Sequence, residues 1–275
     1  MTAPGEHDAI LLARSGAVAT LTFNRPAALN ALDIPMMDAL IAQATTLSAD
    51  LSLRVVVLRG AGRHFMAGGD LRTFAARLRG DRENLRSDFE QIVLRVQTAI
   101  EQLHRMPHTV IAAVHGAVAG FGLSIACACD LVVAADDAVF ASAYRNIGLT
   151  PDGGGTWSLP RSIGMRKALE VYLLGERFGA DEALRIGLVN RVVEAAALDA
   201  AVNDWARSVA EGPALALRNV KRLLRDSPDR TLAEQLDAEA RSFGACAATP
   251  DFAEGIEAFL AKRTPRFQGP DETSR

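Results

Sequence analysis

Two short runs near the start of the chain, "AILLAR" and "AVATLTF", alternate apolar and polar positions around a Ser-Gly pair, the pattern of a β-hairpin. Farther on, "RVVVLRG" and "TVIAAVHG" are continuous apolar runs rich in valine and isoleucine. Unbroken runs of that kind predict strands covered on both faces. Helical spacing takes over from Ile34 to Leu47, with Asp33 as the N-cap and Pro35 in the first turn, and again from Asp88 to Leu103 on an amphipathic segment. A loop through Gly68 and Gly69 and a charged segment lie between them. "LVVAAD" and "AVFASA" predict further short strands, while "RKALEVYLLG" and "ADEALRIG" predict helices that stop at glycine. From Leu198 to "PDFAEGIEAFLAKR" nearly everything reads as helix. The pattern is an α/β core over residues 1–197 followed by a helical C-terminal region over 198–275, with no internal repeat and no low-complexity linker.

The stretch from Val110 to Cys129, "VIAAVHGAVAGFGLSIACAC", is long and apolar enough to raise a transmembrane reading. Glycines at 116, 120 and 122 divide it, and Asp130, Asp136 and Asp137 follow at once, so a buried strand, turn and helix is the expected outcome. The N-terminal "MTAPGEHDAI" carries acids and no apolar core, unlike a signal peptide. With 275 residues, 49% hydrophobic and 23% charged, the composition is that of a globular chain, and a formal net charge of -3 gives no electrostatic case for nucleic acid or an anionic membrane. Three cysteines form no disulfide framework and no CxxC pair; Cys127 and Cys129 read as small buried apolar groups, which points to a reducing cytoplasm.

Chemistry enters with three glycine-bearing turns, "GRHFMAGGDL", "HGAVAGFGLS" and "IGLTPDGGGTW", each placed after a predicted strand. Ligands of parallel α/β sheets collect at the carboxyl ends of strands. The second turn opens into a helix near Phe121, so amides near Gly120 and Phe121 sit at a positive helix terminus, and an N–H of the first turn could join them around an oxyanion. In the third turn a single acid, Asp152, stands between a proline and three glycines. A carboxylate there would repel a phosphate, which leaves two readings: it caps the next helix, or it takes part in chemistry.

The strings "NRPAALNAL", "FMAGGDL", "AVHGAVAGFG", "GLTPDGGGTWSLPRSIG", "ADEALRIGLVNRVV" and "EGIEAFLAKRTPRF", in that order and spacing, resemble the enoyl-CoA hydratase/isomerase (crotonase) family over residues 10 to 267. The resemblance implies a ββα-spiral core that binds acyl-CoA, a helical C-terminal trimerisation region, a coenzyme A thioester as substrate with no separate cofactor, and assembly as a homotrimer or hexamer. It implies Gly69 and Phe121 as the oxyanion amides, with Ala67, Gly68 and Gly120 lining the site. Near the C-terminus it implies that Phe259 and Lys262 meet the adenine and phosphate end of coenzyme A, with Arg25 of "NRP" a further candidate contact.

Two departures change what the resemblance implies. Hydratases of the family carry glutamates at the positions of Ser124 and Tyr144, and a hydroxyl and a phenol of ordinary pKa near 10 are poor groups for adding water across a double bond. Asp152 remains, in a "PDGGGTWSLPR" context similar to isomerases acting on ring-epoxide phenylacetyl-CoA. One carboxylate suffices to move a proton from one carbon to another, so the expected activity is isomerisation with Asp152 as the shuttle, while Ser124, Tyr144 and Trp157 line the acyl pocket. Hydration, another crotonase-fold lyase or hydrolase chemistry, and non-catalytic acyl-CoA binding are the competing readings. Asp70 is expected to fix its loop, and His64 and His115 to serve structure.

Overall fold

The computed structural model describes residues 8–80 and 83–268, so the first seven residues, which began the stretch read as lacking a signal, lie outside the described residues. A turn at Gly16 joins β1 (Ile10–Ser15) to β2 (Val18–Phe23) as the antiparallel hairpin the alternation predicts. The next strands, β3 (Val55–Gly60), β4 (Thr109–Val114), β6 (Leu131–Ala135) and β9 (Arg191–Val193), add in parallel to give a six-stranded sheet in the order β1-β2-β3-β4-β6-β9. A smaller sheet pairs β5 (Ala117–Ala119) with β7 (Val139–Ala141) in parallel, and β7 with β8 (Phe178–Gly179) in antiparallel.

Successive side chains of a strand point to opposite faces. Along β3 and β4 the alternation therefore feeds two separate cores, which is why both strands are apolar throughout. Val56, Leu58, Val110 and Ala112 face the larger core, shared with α1 (Ile34–Ala49), α3 (Leu85–Arg105) and α4 (Phe121–Ala128). Val55, Val57, Ile111 and Ala113 face a second core closed by Leu198, Ala201, Val202 and Ala206 of α8 (Leu198–Ala210). The first helix begins as predicted, with the Asp33 carboxylate accepting from the Met36 amide at 3.0 Å. The apolar stretch from Val110 to Cys129 resolves into β4, β5 and α4. Among the described residues no helix is long and apolar enough to cross a membrane.

One helix was not foreseen. Leu71–Leu78 forms α2, where the sequence predicted loop and charged segment. Asp70 nucleates it by accepting from the Arg72 amide at 2.9 Å, and its arginines hide the apolar positions Leu71, Phe74 and Leu78 from a reading by charge. The Asp88–Leu103 helix extends to Leu85–Arg105. Downstream, α5 (Gly155–Ile163), α6 (Met165–Leu174) and α7 (Ala180–Arg185) complete the core, and α9 (Ala214–Asp226), α10 (Leu232–Ala247) and α11 (Pro250–Leu260) follow α8.

The C-terminal region is fastened by charge as well as by packing. Asp130, at the start of β6 and mostly buried, pairs with Lys221 at 2.7 Å and Arg225 at 2.8 Å, both on α9, and also accepts from the Val110 amide. Arg225 donates to the imidazole Nδ1 of His104 on α3 at 2.9 Å. Burial, aided by the neighbouring Arg225 charge, pushes His104 down to about 4, so the ring is neutral at physiological pH and keeps Nδ1 free to accept.

Candidate active site

The turn after β3 and the turn after β5 run side by side. The Met66 amide donates to the Ala117 carbonyl at 3.1 Å and the Ala119 amide to the Met66 carbonyl at 2.9 Å, stitching the first turn to β5. At their closest, Gly68 and Gly120 meet backbone to backbone: a Cβ on Gly68 would lie 3.3 Å from the Ala119 oxygen, and one on Gly120 would lie 3.3 Å from the Gly68 Cα. Both have positive φ, so the junction needs glycine for space and for conformation. It brings the Gly69 and Phe121 amides to one place, and neither donates to another protein group among the described residues. The Phe121 amide also opens α4, where the helix dipole adds positive potential.

The surroundings hold this pair in position. The Ala67 amide donates to the Leu29 carbonyl at 3.1 Å, and the Phe74 ring of α2 stands over Gly69. Arg25, a candidate substrate contact, has its guanidinium inside the protein's own network: it pairs with Asp33 at 3.1 Å and Asp70 at 2.9 Å, and donates to the Ala31 carbonyl. Burial disfavours the charge on Asp70, yet the Arg25 hydrogen bond and the Arg72 and Thr73 amides hold its pKa below the usual carboxylate range. The ion pair braces the loop from behind, and Asp70 fixes it as expected.

Asp152 does not cap a helix. The following helix starts at Gly155 with Gly154 as its N-cap, and no side chain accepts from its first amides. Instead, Asp152 Oδ1 accepts from the Tyr144 hydroxyl at 2.5 Å, and that hydroxyl lies 3.2 Å from Ser124 Oγ. Ser124 comes from α4, Tyr144 from the 3-10 turn Tyr144–Ile147, and Asp152 from the loop beyond it. The sequence reading treated Ser124 and Tyr144 as pocket lining without a partner, and missed that Tyr144, eight residues before Asp152, and Ser124, twenty before Tyr144, close with it into one hydrogen-bonded line. The same loop passes over the first turn of α4, since a Cβ on Gly153 would lie 2.8 Å from the Phe121 ring and 3.1 Å from the Ser124 Cβ. The loop that carries the carboxylate thus packs against the residue that opens α4.

Electrostatics there are set by burial. Burial raises Asp152 above the ordinary carboxylate pKa, opposed by the Tyr144 hydrogen bond and by its own amide. Tyr144 is raised by burial and then by the Asp152 charge, so it stays a neutral donor. Trp157, on the first turn of α5, packs edge to face with His104, ring centroids 5.0 Å apart, and carries Arg161 at 3.9 Å over its ring. Phe259 and Lys262 stand at the open end of α11, where Phe259 is 80% exposed. No hydrogen bond, ion pair or ring contact joins either of them to the Asp152 site among the described residues. Tyr172 of α6, read in the sequence only as part of a helical pattern, places its hydroxyl beside Ser124 at Gly155.

Two amides without a protein partner among the described residues, in turns next to the loop of a half-buried acid, are an arrangement that can hold a developing oxyanion and accept a proton beside it. Residues 13–270 match the model of the enoyl-CoA hydratase/isomerase family. A probable enoyl-CoA hydratase of Rhodobacter capsulatus is 38% identical over 93% of this chain and 96% of its own. The 1,2-epoxyphenylacetyl-CoA isomerase of Escherichia coli is 36% identical over 92% of this chain and 95% of its own. The crystal structure of an enoyl-CoA hydratase from Polaromonas superposes with a TM-score of 0.87 at 36% identity, covering 94% of this chain and 99% of that one. With matching motifs, a matching fold and paired amides where the fold brings its glycine turns together, the chain belongs to the enoyl-CoA hydratase/isomerase family and has its crotonase fold.

Proposed function

We propose that the protein is an acyl-CoA isomerase in which Asp152 moves a proton between two carbons of the acyl group. The observation that carries this reading is that, among the described residues, the hydrogen-bonded line at the centre holds one carboxylate, joined to a phenol and through it to a serine, in place of a pair of acids. The Asp152 carboxylate takes a proton from a carbon conjugated to the thioester. The electron pair left behind moves onto the thioester oxygen, where the Gly69 and Phe121 amides receive the charge. The same proton then returns to a different carbon, which shifts the double bond; in a ring epoxide, collapse of an equivalent enolate would open the three-membered ring. Nothing is gained or lost, and coenzyme A, being part of the substrate, is the only carrier needed. Raising the carboxylate's pKa by burial brings it closer to that of the carbon acid, which suits a group that must both take and return a proton.

Mass analysis of products from a panel of unsaturated and epoxide acyl-CoA thioesters tests this. Products equal in mass to their substrates are expected; rapid gain of 18 mass units would make the protein a hydratase, as several of its relatives are named, and overturn the reading.

The reading also places the protein in the cytoplasm and in a homotrimer or hexamer, with Phe259 and Lys262 serving a neighbouring copy's coenzyme A. It is supported by apolar side chains left uncovered on the last two helices, among them Phe243 at 74% and Leu260 at 75% exposure, which need burial. Light scattering at micromolar concentration is expected to give three or six times the mass of the chain, and a monomer would remove the shared-site role of Lys262.

A further inference from the structure

Tyr144 touches both halves of the site. Its hydroxyl donates to Asp152 Oδ1 at 2.5 Å, and among the described residues no other residue donates to this carboxylate. The far end of the same ring rests on the turn that opens α4: a Cβ on Gly120 would lie 4.0 Å from Tyr144 Cζ, and Gly120 immediately precedes Phe121. The turn that carries Tyr144 is fastened at the same place, since the Gly120 amide donates to the Ala141 carbonyl at 3.0 Å and the Tyr144 amide to the Ser142 carbonyl at 2.8 Å. Between Ser142 and Tyr144, Ala143 has φ 61° and ψ -22°. A residue with a Cβ is disfavoured at positive φ, and such strain persists where its surroundings enforce it, most often at functional sites. Here it sits directly before the buried phenol that reaches Asp152.

We propose that Tyr144 is a positioning residue for Asp152: it pins Oδ1 beside the turn of Gly120 and Phe121 and leaves Oδ2 as the oxygen that takes and returns the substrate proton. This rests on the reading of Asp152 as the proton shuttle. A phenol has one proton to give and an ionised carboxylate only accepts, so the bond holds one chosen oxygen of the acid. With that proton committed, Ser124 is the donor in the 3.2 Å contact to Tyr144 Oη and keeps the phenol aimed at Asp152. A bond of this kind favours the ionised carboxylate over the protonated one, so Tyr144 limits how far burial raises the acid. When Oδ2 has taken the substrate proton, Oδ1 is still an acceptor and the Tyr144 bond stays in place, weaker than before. The acid therefore does not rotate between taking the proton and giving it back.

The other groups around the phenol are neutral or turned elsewhere. On α4 the Cys127 thiol is pushed up to about 12 by burial. On α6 the Tyr172 hydroxyl is raised by burial and stays protonated. Arg145, next in the chain, donates to the Leu173 and Leu174 carbonyls, and the neutral His104 of α3 accepts from Arg225. Among the described residues Asp152 is the one charge that Tyr144 responds to, second to burial in raising its pKa.

Tyr144→Phe removes only the oxygen, and 3-fluorotyrosine at position 144 keeps it while making the phenol a stronger donor. The Asp152 pKa is read in each by NMR titration of carbon-13-labelled aspartate carboxyls, with Asp152→Asn identifying the signal. Loss of the donor is expected to raise it by about one pH unit, and the fluorinated phenol to lower it by a smaller amount. On the plateau above that pKa, kcat of Tyr144→Phe is expected to fall about ten- to a hundredfold with KM near wild type, the split that follows a misplaced base in an intact pocket. A carboxyl titration in Tyr144→Phe that superimposes on wild type or moves down would overturn the inference, as would an undiminished plateau kcat. If Tyr144→Phe does not fold, the fluorinated protein decides: a lowered titration upholds the inference, and an unmoved or raised one overturns it. A fully active Asp152→Asn would instead overturn the shuttle reading, and the titration, which needs no turnover, would still show whether Tyr144 holds the carboxylate.

Discussion

Asp152→Asn is expected to lower isomerisation by about 10²- to 10⁴-fold while thioester binding changes little, the loss that follows removal of a general base from an otherwise intact site. Asparagine keeps the size of the side chain and an oxygen that accepts from Tyr144, so the hydroxyl line and the loop through Gly153 keep their places. What disappears is the pair of states, charged and protonated, between which a shuttle must move. The same variant carries a stability signature of opposite sign. Burial raises the folded-state pKa of Asp152 above its unfolded value, so folding is favoured by this group below the ordinary carboxylate pKa and that advantage is lost as pH rises through the folded pKa. At neutral pH the wild type bears a buried charge that asparagine lacks, and the variant is expected to melt higher. The difference should vanish as pH falls below about 4, where the acid is neutral in both states. An active variant would refute the mechanism, and a variant that melts lower at neutral pH would refute the account of the site's electrostatics.

The second large effect is expected at Gly120. Backbone amides cannot be deleted by substitution, but the turn that aims one can be disturbed. Gly120 has φ 53° and ψ -122°, and a side chain there would press on the Gly68 Cα at 3.3 Å. Gly120→Ala must relax by separating the two turns, which pulls the Gly69 and Phe121 amides apart. A drop in kcat/KM of about 10²- to 10³-fold is expected, the usual loss for one oxyanion donor, together with about 1–3 kcal/mol of strain on stability. Gly16→Ala separates the two consequences. Its φ is 57°, nothing lies within 4 Å of the added Cβ, and the residue turns the β1-β2 hairpin, so it should cost stability with kcat/KM at the wild-type level. Equal kinetic losses in both variants would mean that strain alone, and not the oxyanion pair, accounts for the effect.

The parts of this molecule that were legible in its sequence are those where local pattern and fold agree. The hairpin, the two doubly buried strands, the Asp33-capped helix and the glycine-stopped helices follow from periodicities and caps that act over a few residues. Helix α2 was hidden because its apolar positions are interleaved with arginines, and the cap at Asp70 was read as part of a loop. In the active site, Asp152, Gly69 and Phe121 stood out through their glycine-rich settings, but their relation to Ser124 and Tyr144 did not. Those two hydroxyls and the carboxylate come from a helix, a 3-10 turn and a loop, and only the close passage of Gly153 over Phe121 brings them together. Tyr172 was less legible still: it is the seventh residue of "RKALEVYLLG", marked by nothing but a helical stripe, and its hydroxyl comes near Ser124 only where Gly155, on another helix, lacks a side chain.

The manner in which the last helices are joined to the sheet bears on how such a protein could be divided or recombined. The face of β3, β4 and β6 that carries Val55, Val57, Ile111 and Val133 is closed by α8, and the mostly buried Asp130 pairs with two cations on α9. A chain ending before α8 would leave an open apolar sheet face and a carboxylate with no counter-charge, and it would also release His104 from the arginine that orients it against Trp157. The loops of the candidate site are thus not a portable module. Any graft of this site onto another scaffold must carry α8 and α9 along with the sheet, or else rebuild Asp130 as a neutral residue and give the exposed face a new partner.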